Sequence, residues 1–282
     1  CRCTELALSP QHDRLQLLAK SLRESGFSNS YEQFPVKLED FEERLQEATQ
    51  KFQGIRIGSP FGELVTRSFV HEPAMMMSLG SADMLIKASG KWWTRSALFE
   101  AFHHLLSQYG DQLDCNASAL IVGAGAAARI AVAALVKIGF KQFKVTNQFA
   151  DQGLSLLAEL KGTYFGVQFE FTPVNQLIML PGLNSIVVNT TPIGPENELV
   201  HELLYFNFLA SGGEVWDLTL AEKDTPLLME ARQIGTKTVS GFEVASWVDV
   251  VWAQRTFRQS LDREAHMKNL ISLFQEKPES RS

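Results

Sequence analysis

Ala119-Leu-Ile-Val-Gly-Ala-Gly-Ala-Ala-Ala-Arg129, continued by Ile-Ala-Val-Ala-Ala-Leu-Val-Lys-Ile-Gly139, decides the fold. An apolar run ends at Val122, glycines follow at Gly123 and Gly125, and small residues run on to Gly139. The pattern predicts a strand, a tight turn and a helix. Gly123 permits the turn, Gly125 lets backbone come close to a ligand, and Ala128 takes the third small position, where helix packs on strand. The free N–H groups and dipole at a helix start favour an anion. The stretch therefore reads as a dinucleotide-binding turn, with Ala126 and Ala127 beside the pyrophosphate. A strand-to-helix turn that binds nothing has the same local pattern.

Downstream, apolar segments alternate with helical ones. Strands are expected at 143–146, 168–172, 185–189, 214–218 and 236–240, with a helix over 153–160. This spacing implies a parallel, doubly wound sheet. Its second strand ends at Thr146-Asn-Gln-Phe149, about twenty residues past the glycines, where a side chain meets the adenosine ribose. An acid there would favour NAD and an Arg the NADP phosphate. Asn147 and Gln148 are neutral, and an ordinary polar turn is an equal reading. Val188-Asn-Thr-Thr-Pro-Ile-Gly194 follows another strand, so Thr190 and Thr191 could wall a nicotinamide pocket.

Upstream, helices are expected at 11–26, 73–80 and 98–109, and a short strand at 34–41 leads into a second helix. Gly54–Gly58 alternates as a strand, and Met84–Thr94 reads as a hairpin turning at Gly90. From Phe242 to Phe274 the chain reads as almost entirely helical. Met75-Met-Met77 and Trp92-Trp93 read as packing residues.

The 282 residues suffice for two ordinary domains, and 45% hydrophobic with 21% charged residues is the composition of a globular protein. A net charge of −6 argues against a nucleic-acid or anionic-membrane partner. Three cysteines form no disulfide framework, so a cytoplasmic location is expected. Cys1-x-Cys3 lacks the second pair a zinc site needs and His103-His104 lacks a ligand partner, so no metal is expected.

Together these segments resemble the shikimate dehydrogenase family, over essentially the whole chain. Leu8-Ser9-Pro10 matches the family's Ser-Leu-Ser-Pro opening, Gly54-Ile-Arg-Ile-Gly-Ser-Pro60 its Val-Thr-Ile-Pro strand, and Gly80-Ser-Ala-Asp83 its Gly-Ala-Val-Asn. The glycine turn, the Asn-Thr-Thr-Pro-Ile-Gly run, Asp224-Thr-Pro-Leu-Leu228 and Thr238-Val-Ser-Gly-Phe242 match its nucleotide half. The resemblance implies an α/β architecture with an N-terminal substrate-type domain, residues 1–102. The C-terminal helices, 242–274, pack back on that domain. A doubly wound Rossmann domain, 103–241, carries NADP or NAD. Leu218 and Gly241, at strand ends, join Gly123, Gly125, Ala126, Ala127, Asn147, Gln148, Thr190 and Thr191 as the expected cofactor set. The partners implied are the dinucleotide and a small molecule, in a monomer or homodimer.

The departures fall at the substrate. The family reduces 3-dehydroshikimate to shikimate with NADPH, using a Lys and an Asp. The Lys position falls at Gly62, and the Asp run falls at Ser96-Ala97-Leu98, with Leu98 in the reacting place. The first Ser of the opening is Ala7, the substrate-binding Thr is Gly58, the Asn is Asp83, a Gln from a late helix is Val248, a Tyr is Leu220, and the Arg that reads the NADP phosphate is Gln148. Ser9, Ser59, Asp83 and Arg95 remain as pocket polar groups, with Arg95 as a replacement cation. The family's first strand is expected upstream of Cys1, and some members carry a fused upstream domain. Three readings follow. The chain is a nucleotide-binding homologue that has lost shikimate chemistry and serves regulation, sensing or assembly; or an oxidoreductase of this family acting on a different substrate; or a shikimate dehydrogenase whose catalytic residues are displaced. The lost Arg predicts weak cofactor binding with little preference between NADP and NAD.

Overall fold

The computed structural model describes residues 1–71, 78–109, 113–191 and 198–275. The chain divides into two compact units, one of Cys1–Ala101 with Ser246–Ser282 and one of Phe102–Ala245. It passes from one to the other within helix α4 (Ala97–Tyr109) and within helix α9 (Gly241–Phe257).

The first unit is built on a six-stranded mixed sheet of order β2-β1-β3-β5-β6-β4. Strand β1 (Arg2–Leu6) runs parallel to β2 (Ser30–Tyr31) and to β3 (Gly54–Ile57), with Glu5 opposite Arg56 and Leu6 opposite Ile57. This corrects the expectation that the family's first strand lies upstream of Cys1. Cys3 through Leu6 are all buried, so no alternation marks the segment as a strand. A second correction concerns 34–41. The paired strand is Ser30–Tyr31, and the chain then runs irregularly to helix α2 (Phe41–Lys51). Pro35 has no N–H to give a ladder, the Lys37 N–H is taken by Asp40 Oδ1 at 2.6 Å, and Arg44 Nε donates to the Pro35 carbonyl.

Strands β5 (Met84–Ala88) and β6 (Lys91–Arg95) form the expected hairpin. Ser89 and Gly90 both have positive φ, 51° and 77°, the two-residue turn that suits strand twist. Helix α3 (Gly62–Ser68) and strand β4 (Val70–His71) precede it. Of the helix expected at 73–80, residues 73–77 lie outside the described residues, with Met75–Met77 among them, and Ser78 and Leu79 are helical. Helix α1 (His12–Glu24) turns Leu15, Leu18, Ala19 and Leu22 inward. The C-terminal stretch is broken at 258–262, where Arg258 has φ 57°, into α9 and a last helix, Arg263–Gln275, which packs in this same unit. In this way Ser21, from α1, meets His266.

The second unit has six parallel strands. In sequence they are β7 (Ser118–Val122), β8 (Gln142–Thr146), β9 (Gln168–Phe171), β10 (Asn184–Asn189), β11 (Leu209–Asp217) and β12 (Lys237–Ser240). Their order across the sheet, β9-β8-β7-β10-β11-β12, is that of two mononucleotide-binding halves joined at β7 and β10. Helix α5 (Ala126–Ile138) connects β7 to β8, and α6 (Ala150–Thr163) connects β8 to β9. Strands β7 and β10 are buried at every position, with apolar runs at Ala119–Val122 and Ile186–Val188. Helix α7 (Glu198–Leu203) precedes β11. Helix α8 (Pro226–Gln233) is capped by Thr225, whose Oγ1 accepts the Leu228 N–H at 3.3 Å, with Pro226 in the first turn.

Candidate functional sites in the two units

In the second unit the sheet order reverses between β7 and β10, and the glycine turn sits at that point. Gly123 follows β7 with φ +112°, and a Cβ there would clash with Thr190 Oγ1 and lie 2.6 Å from Thr191 Cγ2. Only glycine fits, because the two threonines close over it. Thr190 Oγ1 donates to the Val122 carbonyl at 2.7 Å, and Thr191 Oγ1 donates to Asn189 Oδ1 at 2.9 Å. Asn189 in turn donates to Asp217 Oδ1 at 2.9 Å, which ties β10 to β11, and Leu218 N donates to the Asn189 carbonyl. Gly125 is the N-cap of α5, has open space where a Cβ would be, and is followed by a first turn without an acidic residue. The uncapped N–H groups beside Ala126 and Ala127 are suited to an anion.

At the end of β8 the Asn147 amide donates to the Phe149 carbonyl at 2.9 Å and to Gln152 Oε1 at 3.3 Å, so it shapes the turn. Gln148 beside it is exposed. Gly241 starts α9 against the Thr219 carbonyl, where a Cβ would clash. Pro192, Ile193 and Gly194 lie outside the described residues.

In the first unit a cavity of about 510 Å³ opens at the ends of β1 and β3 and the start of α1. Its walls include Glu5, Ser9, Gln11, Arg14, Arg56 and Ser59. Beneath the two arginines lies Asp249 of α9, fully buried. Asp249 Oδ1 accepts from Arg14 Nη2 at 2.9 Å and Arg56 Nη1 at 2.6 Å. Its Oδ2 takes Arg14 Nε at 3.2 Å and lies 3.0 Å from His266 Nε2. His266 Nδ1 sits 3.0 Å from Ser21 Oγ. Burial would raise the Asp249 carboxyl, yet the guanidinium charges of Arg14 and Arg56 and the His266 bond hold it well below the ordinary carboxylate range. Burial would lower the Arg56 guanidinium, and the Asp249 and Glu5 carboxylates raise it instead.

Ser9 and Ser59 therefore lie in one cavity wall. Asp83 has its oxygens committed elsewhere. Oδ1 accepts the Ala97 N–H at 2.5 Å, and Oδ2 accepts the Leu98 N–H at 2.8 Å and Ser96 Oγ at 3.2 Å, so this carboxylate closes the start of α4. Burial pushes its carboxyl up despite those bonds. Arg95 is half-buried at the end of β6, its carbonyl taking the Asp83 N–H. Position 62 is closed, since a Cβ on Gly62 would clash with Ser81 Oγ and lie 3.0 Å from the Ala82 carbonyl oxygen. Position 58 is closed too, with Ala7 Cβ 2.6 Å from a Cβ on Gly58. Val248 is buried. No group of His, Cys, Asp and Glu among the described residues could hold a metal.

Sequence reading missed Glu5, Arg14, Arg56 and Asp249. Two of them left a signal. Arg56 is a charge inside the buried strand Gly54–Ile57, and Asp249 interrupts the apolar run Val248-Asp-Val-Val-Trp252. A charge inside a buried element is there to be paired.

The parallel sheet in this order, with a glycine turn at its switch point, and a second α/β unit with its own cavity define a two-unit chain of the dinucleotide-binding class. No protein-family model matches the chain. It is 30% identical over 219 residues to the shikimate dehydrogenase (NADP(+)) of Methanocella arvoryzae, spanning 76% of this chain and 77% of that protein. In fold it is similar to the quinate dehydrogenase of Corynebacterium glutamicum in complex with NAD, with a TM-score of 0.82, 18% identity, and 96% of this chain and 98% of that one covered. It is also similar to the ligand-free 5-ketofructose reductase of a Gluconobacter strain, with a TM-score of 0.80, 16% identity, and 97% and 98% covered. The chain belongs to the shikimate dehydrogenase family.

Proposed function

We propose that the chain is an NADP- or NAD-binding member of this family that does not interconvert shikimate and 3-dehydroshikimate. The observation that carries this reading is the closed position 62. The family's Lys falls at Gly62, where a Cβ would clash with Ser81 Oγ and lie 3.0 Å from the Ala82 carbonyl oxygen, so a side chain enters only if Ser81 turns away. Leu98, at the family's Asp position, has no proton to give. General acid–base help is typically worth about 10²–10⁴-fold. The hydroxyl-binding positions are bare as well, Ala7 and Gly58 being in contact with each other.

The nucleotide reading rests on Gly123, Gly125, Ala126 and Ala127 for the pyrophosphate and on Asn147 and Gln148 for the ribose. Thr190, Thr191, Leu218 and Gly241 line the strand ends. A bound nicotinamide would carry a hydride, and the chain's part is to hold it. Binding is weak, with little preference between NADP and NAD. Residues 1–102 with 242–274 form the small-molecule part and 103–241 the nucleotide part. The role is regulation, sensing or assembly, as a monomer or homodimer that an upstream domain can accompany. Three free cysteines favour the cytoplasm, and no helix among the described residues is long and apolar enough to cross a membrane. A second reading, an oxidoreductase of this family with a different substrate, is favoured by the charged cavity of the first unit.

The test is spectrophotometric, with saturating shikimate and NADP or NAD, beside calorimetric titration of both nucleotides. We expect no turnover, also in Gly62→Lys with Leu98→Asp, and weak binding of both nucleotides. Turnover of ~1 s⁻¹ or faster, ordinary for enzymes, would overturn the reading and support the displaced-residue alternative.

A further inference from the structure

The walls of the first-unit cavity carry an opposed pair of charges that are not joined to each other. Glu5 and Arg56 stand opposite each other in the parallel register of β1 and β3, so their side chains share one face of the sheet. Both are more than nine-tenths buried, with 9% and 8% of their surface exposed. Arg56 spends Nη1 on Asp249, while its Nε and Nη2 have no hydrogen-bond partner among the described residues. Glu5 Oε2 accepts the Gln11 N–H at 2.7 Å, and Oε1 accepts none among the described residues. Both residues line the cavity. The two side chains do not bond to each other.

We propose that this cavity takes a small zwitterion of the α-amino-acid type, its carboxylate on the free guanidinium edge of Arg56 and its ammonium group on Glu5 Oε1. The inference rests on the reading that the first unit is the small-molecule part of the chain. Charge balance decides between a zwitterion and a plain organic acid. Arg14 and Arg56 bring two positive charges, and Asp249 and Glu5 bring two negative ones. Asp83 also acts on Arg56, but burial pushes its carboxyl toward the neutral form, so these four charges sum to zero before any ligand enters. A monoanion would leave one largely buried charge uncompensated, which is costly. A zwitterion satisfies both free edges and keeps the sum at zero. A guanidinium and a carboxylate fork are the matched partners for a carboxylate and an ammonium group. A hydroxyl-rich acid fits less well, because Gly58 and Gly62 offer no side chain and Asp83 is occupied at α4. The volume, about 510 Å³, is ample for an amino acid, and the walls at Ala7, Leu8 and Pro60 suit an uncharged side chain.

The experiment screens the common α-amino acids against the intact chain by ligand-observed NMR, followed by titration of the best binder. Its 2-hydroxy acid, which lacks the ammonium group, and its decarboxylated amine are titrated in parallel. At least one amino acid should bind, with each truncated analogue at least tenfold weaker. Glu5→Gln keeps the acceptor for Gln11 and the shape, so it should fold. It should weaken the amino acid at least tenfold and leave the 2-hydroxy acid unchanged or tighter. Absence of any amino-acid binding overturns the proposal, as does a hydroxy acid that binds as well as its amino acid, or a Glu5→Gln protein with unchanged affinity. Nucleotide titration of the same samples keeps the tests apart, since nucleotide binding without amino-acid binding defeats this inference alone.

Discussion

The two candidate sites are built from different materials. The glycine turn of the second unit is made of backbone. Its parts lie within seven residues from Gly123 to Arg129, and the threonines that cover it come from the adjacent strand. The cavity of the first unit is made of side chains gathered from Glu5, Arg14, Arg56 and Asp249, with Arg14 and Asp249 alone 235 residues apart. A backbone site is fixed by steric rules that tolerate few substitutions. A side-chain site can be rewritten one position at a time while the sheet beneath it stays in place. The family's fold is kept here, and the exchange of its substrate groups is the reading we propose.

The largest effect should come from the side-chain site. Asp249→Asn keeps the volume but removes the counter-charge of two nearly buried guanidinium groups, whose side chains are 11% and 10% exposed. Breaking a buried pair in this way typically costs about 3–5 kcal/mol. Denaturant unfolding of the variant against its parent measures the loss. The same carboxylate gives a pH signature. Its folded pKa lies below its unfolded one, so its contribution is complete above the unfolded value of about 3.9 and is lost as pH falls beneath it. Asp83, whose carboxyl is raised, acts with the opposite sign. The parent should therefore lose stability below about pH 4 more steeply than Asp249→Asn does. Equal acid slopes would mean that Asp249 is not the charge that holds the arginines.

A smaller effect separates the glycines of the backbone site. Gly123→Ala must place a side chain at φ +112° and against Thr190 and Thr191, at a cost on the order of 2 kcal/mol or more. Gly125→Ala has φ −89° and open space, so it should leave the melting temperature alone. Its methyl group would stand where an anion must approach the helix start, and nucleotide affinity should fall about tenfold, near 1.4 kcal/mol. Calorimetry with NADP and thermal unfolding read the two apart. A Gly125→Ala protein that binds as its parent does would detach the turn from nucleotide binding.

The same contrast explains what could be read in advance. Ala119 to Gly139 announced strand, turn and helix because each step needs a residue type that only that conformation requires. The Met84–Thr94 hairpin was legible for the same reason. Arg2–Leu6 was not, because a strand buried on both faces shows no alternation and Glu5 looks like a solvent-facing charge. The strand lies outside 34–41 because Pro35 has no N–H to give a ladder, Asp40 takes the Lys37 N–H, and Arg44 donates to the Pro35 carbonyl. Asp83 was expected among the pocket groups because sequence cannot show that the Ala97 and Leu98 N–H groups converge on it. Arg56 and Asp249 could have been noticed as charges inside apolar runs. Their meeting could not, since pairing across 193 residues is a property of the fold.

The smallest effect sharpens the reading of the second unit. Gln148 follows β8, is exposed, and is where we propose the family's phosphate-reading Arg has been replaced. A neutral amide can bond either ribose hydroxyl or phosphate oxygen but adds no charge. A charge-assisted bond is roughly twice as strong as a neutral one. Gln148→Arg should therefore tighten NADP by about tenfold, near 1.4 kcal/mol, and leave NAD unchanged. The gain should shrink at high salt, because an exposed pair is screened. Competition titrations at low and high ionic strength measure both. If the parent already prefers NADP strongly and Gln148→Arg adds nothing, another cation reads the phosphate. Lys144 is a candidate, two positions before the end of the same strand. That result would move the cofactor reading to NADP alone while leaving the glycine turn as the site of binding.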